Sequence, residues 1–309
     1  MKKILIIIPA YNEEKNISLL YSSIKKSISG ILQDYSYEII FVDDGSTDRT
    51  FDEIKKVSEK DKNVHGISFQ KNFKKSAAYM AAFKQARGDI IITMDADLQD
   101  DPKEIPRFIK SLETSDLVIG WKYPRYDPIY KTFPSKIFNR ITYKMYGTKL
   151  HDSDCGYRAM KSEVAKNLNL YGDNYRFIPA LASKMGYRVS EIKVQHHKRR
   201  FGKSKYGGGR FVTGLLDIFT VKFVTDYFQK PMHVFGSFGL SSFMLGVIAE
   251  LVVLYYRIFQ GDSFSTHLPL LILGVLLMIL GVQLFGIGLL GELITSSEKK
   301  KNYVIREIV

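Results

Sequence analysis

The chain has 309 residues, 45% of them hydrophobic, which is enough for one large domain or two with a full core. A net charge of +13 points to an anionic partner, whether nucleic acid, membrane surface or acidic substrate, and only the placement of the charge decides among them. The single cysteine, Cys155, excludes an intramolecular disulfide and fits a reducing compartment.

The opening Met1 to Ile8 has the basic start of a signal peptide, but its apolar run ends after five residues at Pro9 and Asn12-Glu13-Glu14 follow. It reads as a first strand, Ile4 to Ile8, apolar enough to be buried on both faces. A loop, Pro9-Ala10-Tyr11-Asn12-Glu13, leads to a helix with Ile17, Leu20, Ile24 and Ile28 on one side. The second strand, Glu38 to Val42, runs into Asp43-Asp44-Gly45-Ser46-Thr47-Asp48, where Gly45 permits a tight turn and Ser46 or Thr47 is placed to cap a helix through Ser58. A third strand at Val64 to Phe69 and a helix near Ser76 to Ala86 precede a fourth strand, Asp89 to Met94.

That fourth strand ends in Asp95-Ala96-Asp97-Leu98-Gln99-Asp100. Strand and helix alternation predicts an α/β fold with a mostly parallel sheet, and in such a sheet the loops after strands one, two and four share one edge. Tyr11, Glu13, Asp43, Asp44, Asp95 and Asp97 are thereby expected in one cleft. Carboxylates at i and i+2, where a chain turns out of a strand, can meet one hard cation, Mg²⁺ or Mn²⁺, completed by diphosphate oxygens. The competing reading is a solvated acidic turn.

Beyond a strand at Asp116 to Gly120 lies a basic, aromatic loop from Trp121, then a helical stretch, Ile129 to Tyr146, carrying Lys131, Ser135, Lys136 and Arg140. An acidic loop, His151 to Arg158, offers Asp152 and Asp154, and Arg158 is a candidate partner for an aspartate. A helix near Phe177 to Met185 and a strand at Arg188 to Val194 lead into His196 to Arg210, which contains no acid. Two tasks suit that stretch: closing over phosphates, or lying on anionic lipid.

Phe211 to Phe228 has the pattern of an amphipathic helix in a bilayer interface. Val234 to Tyr256 and Leu268 to Leu290 are each long enough to cross about 30 Å of hydrocarbon, the first with only Glu250 charged. Lys222, Lys230, Lys299, Lys300, Lys301 and Arg306 outnumber Arg257 in the connection, so the positive-inside rule predicts cytoplasmic termini and a cytoplasmic N-terminal domain. The expected organisation is a catalytic domain over 1–210, an interfacial helix over 211–230, a two-span hairpin over 231–292 and a cytoplasmic tail over 293–309. Ser242 with Gly246, and Gly274 with Gly281, leave room for close helix packing or for a homo-oligomer through the spans.

Pro9 to Glu13, Val42 to Asp48, Asp95 to Asp100, Asp152 to Arg158 and Arg200-Phe201-Gly202-Lys203-Ser204-Lys205 occur in the order seen in family 2 glycosyltransferases. Over about residues 3 to 230 the chain resembles their polyprenyl-phosphate branch, which includes dolichol-phosphate mannose synthase and bacterial undecaprenyl-phosphate glucosyltransferases. The resemblance implies a GT-A fold and a membrane enzyme that moves a hexose from a nucleotide diphosphate sugar, UDP-linked by preference, to a polyprenyl phosphate. It implies donor contacts from Pro9, Tyr11, Glu13, Asp43, Asp44, Asp95, Ala96, Arg200 and Lys205, and a divalent cation held by Asp95, Asp97 and Gln99. Lys122, Lys131 and Ser135 correspond to acceptor-phosphate positions, with Lys where some members carry Arg, a point charge in place of a bidentate fork. Asp97 and Asp152 are the expected catalytic pair, Asp152 being preferred to Asp154 for its six-residue spacing from Arg158.

Several rivals fit less well. A processive polysaccharide synthase resembles its kind in a Gln-x-x-Arg-Trp segment that the context of Trp121 lacks, and a sugar-nucleotide pyrophosphorylase would carry a glycine-rich loop where Pro9 to Glu14 stand. GDP-mannose as donor, or a non-catalytic nucleotide-sugar-binding membrane partner, are the alternatives. Nucleic acid is not expected, because the basic groups are juxtamembrane and the cleft acidic.

Overall fold

The structure, a computed structural model, describes residues 1–31, 33–123, 150–197, 201 and 231–297. These fall into two compact units, an N-terminal sheet domain and a C-terminal helical hairpin.

Among the described residues of the first unit are seven strands: β1 Lys2–Ala10, β2 Tyr35–Asp43, β3 Val64–Ser68, β4 Ile90–Thr93, β5 Leu117–Lys122, β6 Arg158–Lys161 and β7 Val189–Val194. The helices are α1 Ile17–Ile28, α2 Thr50–Lys60, α3 Lys74–Gln85, α4 Ile105–Ser111, α5 Ser162–Asn167 and α6 Ile178–Lys184. The strands form one sheet in the order β3-β2-β1-β4-β6-β5-β7. All neighbours are parallel except β6, which runs antiparallel to both β4 and β5. The expected mostly parallel α/β sheet is therefore present.

Burial explains why the apolar runs become strands. Ile4 to Ile8 are at most 1% exposed, as a strand covered on both faces requires, and each such isoleucine contributes about 2 kcal/mol of burial. Ile17, Leu20, Ile24 and Ile28 form the buried stripe of α1. Helix α3 packs on β1 and β2, and α6 on β5 and β7.

Two expectations are corrected. Helix α2 starts at Thr50, not after Ser46 or Thr47, because Asp48 accepts from the Thr50 amide (2.9 Å) while Ser46 Oγ accepts from the Asn12 amide (2.9 Å). Strand β6 was not foreseen: Arg158, placed in a loop by its charge, is its first residue and is fully buried.

The second unit contains α7 Ser237–Tyr255 and α8 Leu268–Ser297. With their flanking turns they give two helices, Met232–Gln260 and Leu268–Ile294, long and apolar enough to cross a membrane. Gly261, at φ +74°, ends the first. The helices meet through small residues. A Cβ on Gly239 would lie 2.7 Å from the Gly281 carbonyl oxygen, and one on Gly246 would lie 2.6 Å from that of Gly274. Ser242 Oγ donates to the Leu277 carbonyl (2.8 Å). The small residues of the sequence pattern thus serve packing within the hairpin. Glu250 lies against Gly274, and its Oε1 is buried without a hydrogen-bond partner among the described residues.

Candidate active site

The strand directions bring the C-terminal ends of β1, β2, β4, β5 and β7 to one edge, and reversal of β6 adds its N-terminal end to the same edge. The predicted residues that lie among the described ones collect there.

The first two loops brace each other. Beyond Pro9 and Ala10, the Glu13 amide donates to Thr50 Oγ1 (2.7 Å), and the Thr47 amide to Asn12 Oδ1 (2.8 Å). Tyr11 is half-buried, and the buried Glu13 carboxylate accepts from Asn16 Nδ2. Asp43 accepts from the Ser46 amide (3.1 Å) and Ser68 Oγ (3.0 Å). Asp44 accepts from the Phe73 amide (2.7 Å), and burial raises its pKa against that hydrogen bond. Gly45 is required immediately after them: its φ is +68°, and a Cβ would fall 2.3 Å from the Lys71 carbonyl carbon.

In the acidic loop, Asp95 forms an ion pair with Lys75 at the start of α3. Ala96 and Asp97 are buried, and Asp97 Oδ1 accepts from the Gln99 amide (3.2 Å). The Asp100 carboxylate accepts from the Asp95 amide (3.1 Å) and lies 3.8 Å from Lys122 Nζ. Burial would lower the pKa of Lys122, but the carboxylates of Asp100, Asp95 and Asp152 outweigh it and hold the ammonium charged. Asp95 moves below its usual range: burial opposes ionisation, and the charges of Lys75, Lys122 and Arg158 overcome it. Asp100 moves upward through burial and the charges of Asp95 and Asp97, against Lys122.

The exit of β7 is fastened to this loop. The His197 amide donates to the Gln99 carbonyl (2.8 Å), Gln99 Nε2 donates to the His197 carbonyl (3.2 Å), and Asp100 and His196 form an antiparallel bridge.

Asp152, also buried, reaches the same edge on the segment before β6. That segment starts at His151, which stacks on Trp121 with ring centroids 3.9 Å apart and pairs with Glu191. At its far end Thr93 Oγ1 donates to the Gly156 carbonyl (2.8 Å). Asp154 lies 4.0 Å from Arg176, whereas Asp152 is among the carboxylates acting on Lys122. Arg158 Nη1 donates to the Tyr175 carbonyl (2.9 Å), and its charge bears on Asp95 through space.

Lys131, Ser135, Arg200 and Lys205, like the helical stretches expected at 129–146 and 211–228, lie outside the described residues. Sequence reasoning passed over Lys75, and it read Gly156 only as a turn and His196 and His197 only as loop residues. Lys75 left one trace, its position one helical turn before Tyr79, over whose ring its ammonium lies at 5.8 Å.

The oxygen donors of Asp95, Asp97 and Gln99 suit a hard cation. Among the described residues no three Asp, Glu, His or Cys side chains converge on one point, so protein side chains alone do not close the coordination of a cation there.

Comparison with known proteins agrees with this architecture. Residues 5–168 match the family described as glycosyl transferase family 2. The chain is 35% identical to dodecaprenyl-phosphate galacturonate synthase of Rhizobium johnstonii over 98% of its own length and 92% of the relative's. It is 32% identical to undecaprenyl-phosphate 4-deoxy-4-formamido-L-arabinose transferase of Photorhabdus laumondii, covering all of this chain and 95% of that protein. Glucosyl-3-phosphoglycerate synthase of Mycobacterium tuberculosis, solved with Mn²⁺, UDP and phosphoglyceric acid, shares the fold with a TM-score of 0.55 at 18% identity, over 72% of this chain and 78% of that one. Sheet order, acidic edge and sequence likeness converge: the chain belongs to glycosyl transferase family 2.

Proposed function

We propose that the protein transfers a sugar from a nucleotide diphosphate sugar to a polyprenyl phosphate at a membrane surface. The observation that carries this is the joint presence, in one chain, of the acidic sheet edge and an apolar hairpin long enough to span a bilayer. Relatives named for dodecaprenyl- and undecaprenyl-phosphate products, matched over nearly their whole length, support the lipid acceptor.

The reaction would be an inverting displacement. A phosphate oxygen of the lipid attacks the anomeric carbon, the bond from that carbon to the donor's diphosphate breaks, and the nucleoside diphosphate leaves with the electron pair. A phosphate monoester has its second pKa near about 6, so the nucleophile is already largely dianionic and needs no strong base. Asp152 then orients the acceptor or sugar. Lys122, kept cationic by its carboxylate neighbours, would receive phosphate charge. A divalent cation, when bound, would neutralise charge on the departing diphosphate, and Asp95, Asp97 and Gln99 are the residues that would hold it. Asp43 and Asp44, braced as described, would face the nucleoside.

A UDP-hexose and undecaprenyl phosphate are the proposed substrates. The names of the relatives, one a galacturonate synthase and the other a formamido-arabinose transferase, make a uronic acid and a pentose the first competitors. The charge asymmetry about the hairpin supports a cytoplasmic catalytic unit with both termini on that side.

The test is label transfer into organic-extractable lipid by the full chain, with polyprenyl phosphate, Mg²⁺ or Mn²⁺, and a panel of UDP-glucose, UDP-galacturonate, a UDP-pentose and GDP-mannose. One donor should give a metal-dependent lipid product that Asp97→Asn abolishes and Asp152→Asn only reduces. Nucleotide binding without product across the panel would favour the non-catalytic partner. A deader Asp152→Asn at saturating acceptor would overturn the orienting role.

A further inference from the structure

Lys75 is largely enclosed, while the side chain of its partner Asp95 stays 30% exposed. The lysine side chain is 16% exposed, its ammonium pairs with Asp95, and the rings of Tyr175 and Tyr79 lie 5.3 Å and 5.8 Å away. Gly156 closes over the pair: a Cβ there would stand 2.9 Å from Asp95 Oδ1 and 3.0 Å from Lys75 Nζ. The pair is packed on the lysine side and partly open to solvent on the aspartate side, so Asp95 is reachable but already counter-charged.

The charges around it nearly cancel. Among the described residues the carboxylates of Asp95, Asp97, Asp100 and Asp152 interact with the cations of Lys75, Lys122 and Arg158. A bare divalent cation entering that group must share Asp95 with the Lys75 ammonium and leaves the group with excess positive charge. A diphosphate diester carries two negative charges, so a dication entering with it leaves the balance unchanged.

We infer that Lys75 is a positioning residue that holds Asp95 as its own counter-ion and keeps the divalent cation out of the empty site, so that cation and nucleotide diphosphate enter together. This rests on the nucleotide-sugar function proposed above and adds to it an order of binding. It also assigns Lys75 a role that a merely structural lysine would lack, since its removal should strengthen cation binding while weakening catalysis.

Equilibrium dialysis of the full chain in detergent against Mn²⁺, with and without UDP or GDP, tests it by counting protein-retained metal. Wild type should retain Mn²⁺ at least tenfold more tightly with the matching nucleotide than without. Lys75→Met should bind Mn²⁺ alone about tenfold more tightly than wild type, and Lys75→Arg should restore the wild-type pattern. Lys75→Gln replaces Lys75→Met if the latter does not fold. Equal retention of Mn²⁺ by wild type with and without nucleotide, or an unchanged affinity for Mn²⁺ alone in the neutral variants, overturns the inference. Retention of neither UDP nor GDP by wild type, read with labelled nucleotide in the same dialysis, overturns the nucleotide-sugar function itself, and the inference with it.

Discussion

Among the described residues two carboxylates are seated against glycines, one in each unit, and they are treated oppositely. Asp95 lies under Gly156 with the Lys75 ammonium beside it. Glu250 lies against Gly274, and its buried Oε1 meets no hydrogen-bond donor among the described residues. In the sheet domain close approach of backbone to carboxylate is matched by a cation, which holds the carboxylate in place. In the hairpin the glycine only makes room, and a polar group sits at a cost in an apolar span. The same backbone device thus leaves one carboxylate with a countercharge and the other without a hydrogen-bond partner among the described residues.

The comparison breaks first at Gly156. Gly156→Ala drives a methyl group into the Asp95 and Lys75 pair, and displacing a reacting constellation by about 1 Å costs roughly 100-fold. Label transfer to lipid should fall by about that factor while circular dichroism is unchanged. Near-normal transfer would show that the pair does not position the chemistry.

The hairpin offers the sharper contrast. At Gly246 an added Cβ meets backbone, the Gly274 carbonyl at 2.6 Å, whereas at Gly274 it meets first the movable end of Glu250. Gly246→Ala should cost about 2 kcal/mol in any background, by the usual scale of overpacking. Gly274→Ala should cost less, and most of that loss should vanish when Glu250→Ala is added, a coupling of about 1 kcal/mol. Thermal unfolding of detergent-solubilised Gly246→Ala, Gly274→Ala and Glu250→Ala, and of each glycine variant combined with Glu250→Ala, measures this, and additive losses at Gly274 would exclude the contact.

A third carboxylate, Asp116, calibrates both. It has two cations, Arg188 (3.1 Å) and Lys161 (2.7 Å), but lies at a partly solvated sheet end without a glycine. The Arg188 hydrogen bond, aided by Lys161 and opposed by burial, holds its pKa below the ordinary carboxylate range. Its stabilisation is therefore fully present above an unfolded pKa of about 3.9 and is lost as pH falls through the lower folded value. Asp116→Asn should cost about 1 kcal/mol at pH 7, solvent screening allowed for, with the gap closing in acid. A pH-independent gap would mean that shape, not charge, is what Asp116 supplies.

The strands with continuous apolar runs were legible in the sequence because both faces are covered, as Ile4 to Ile8 and Ile39 to Val42 attest. Strand β6 was not, since Arg158-Ala159-Met160-Lys161 offers two apolar residues between two cations, and Arg158 is buried through a carbonyl partner, Tyr175, that only the fold brings near. The acidic edge was legible because topology alone puts the loops after β1, β2 and β4 together. Lys75 was not, because its meaning depends on a contact between α3 and a loop 20 residues later. Glu250 was conspicuous by charge, yet its seat against Gly274 depends on helix register, which periodicity alone does not fix.

The reversal of β6 also decides which of its ends reaches the site. Strand β5 ends and β6 begins at the same edge, where Arg158 is paired on one side with Ile119 and on the other with Thr93. Run in the opposite direction, β6 would bring Lys161 to that edge and carry Arg158 to the far one, so the polarity of one four-residue strand selects which of its two cations stands near Asp95.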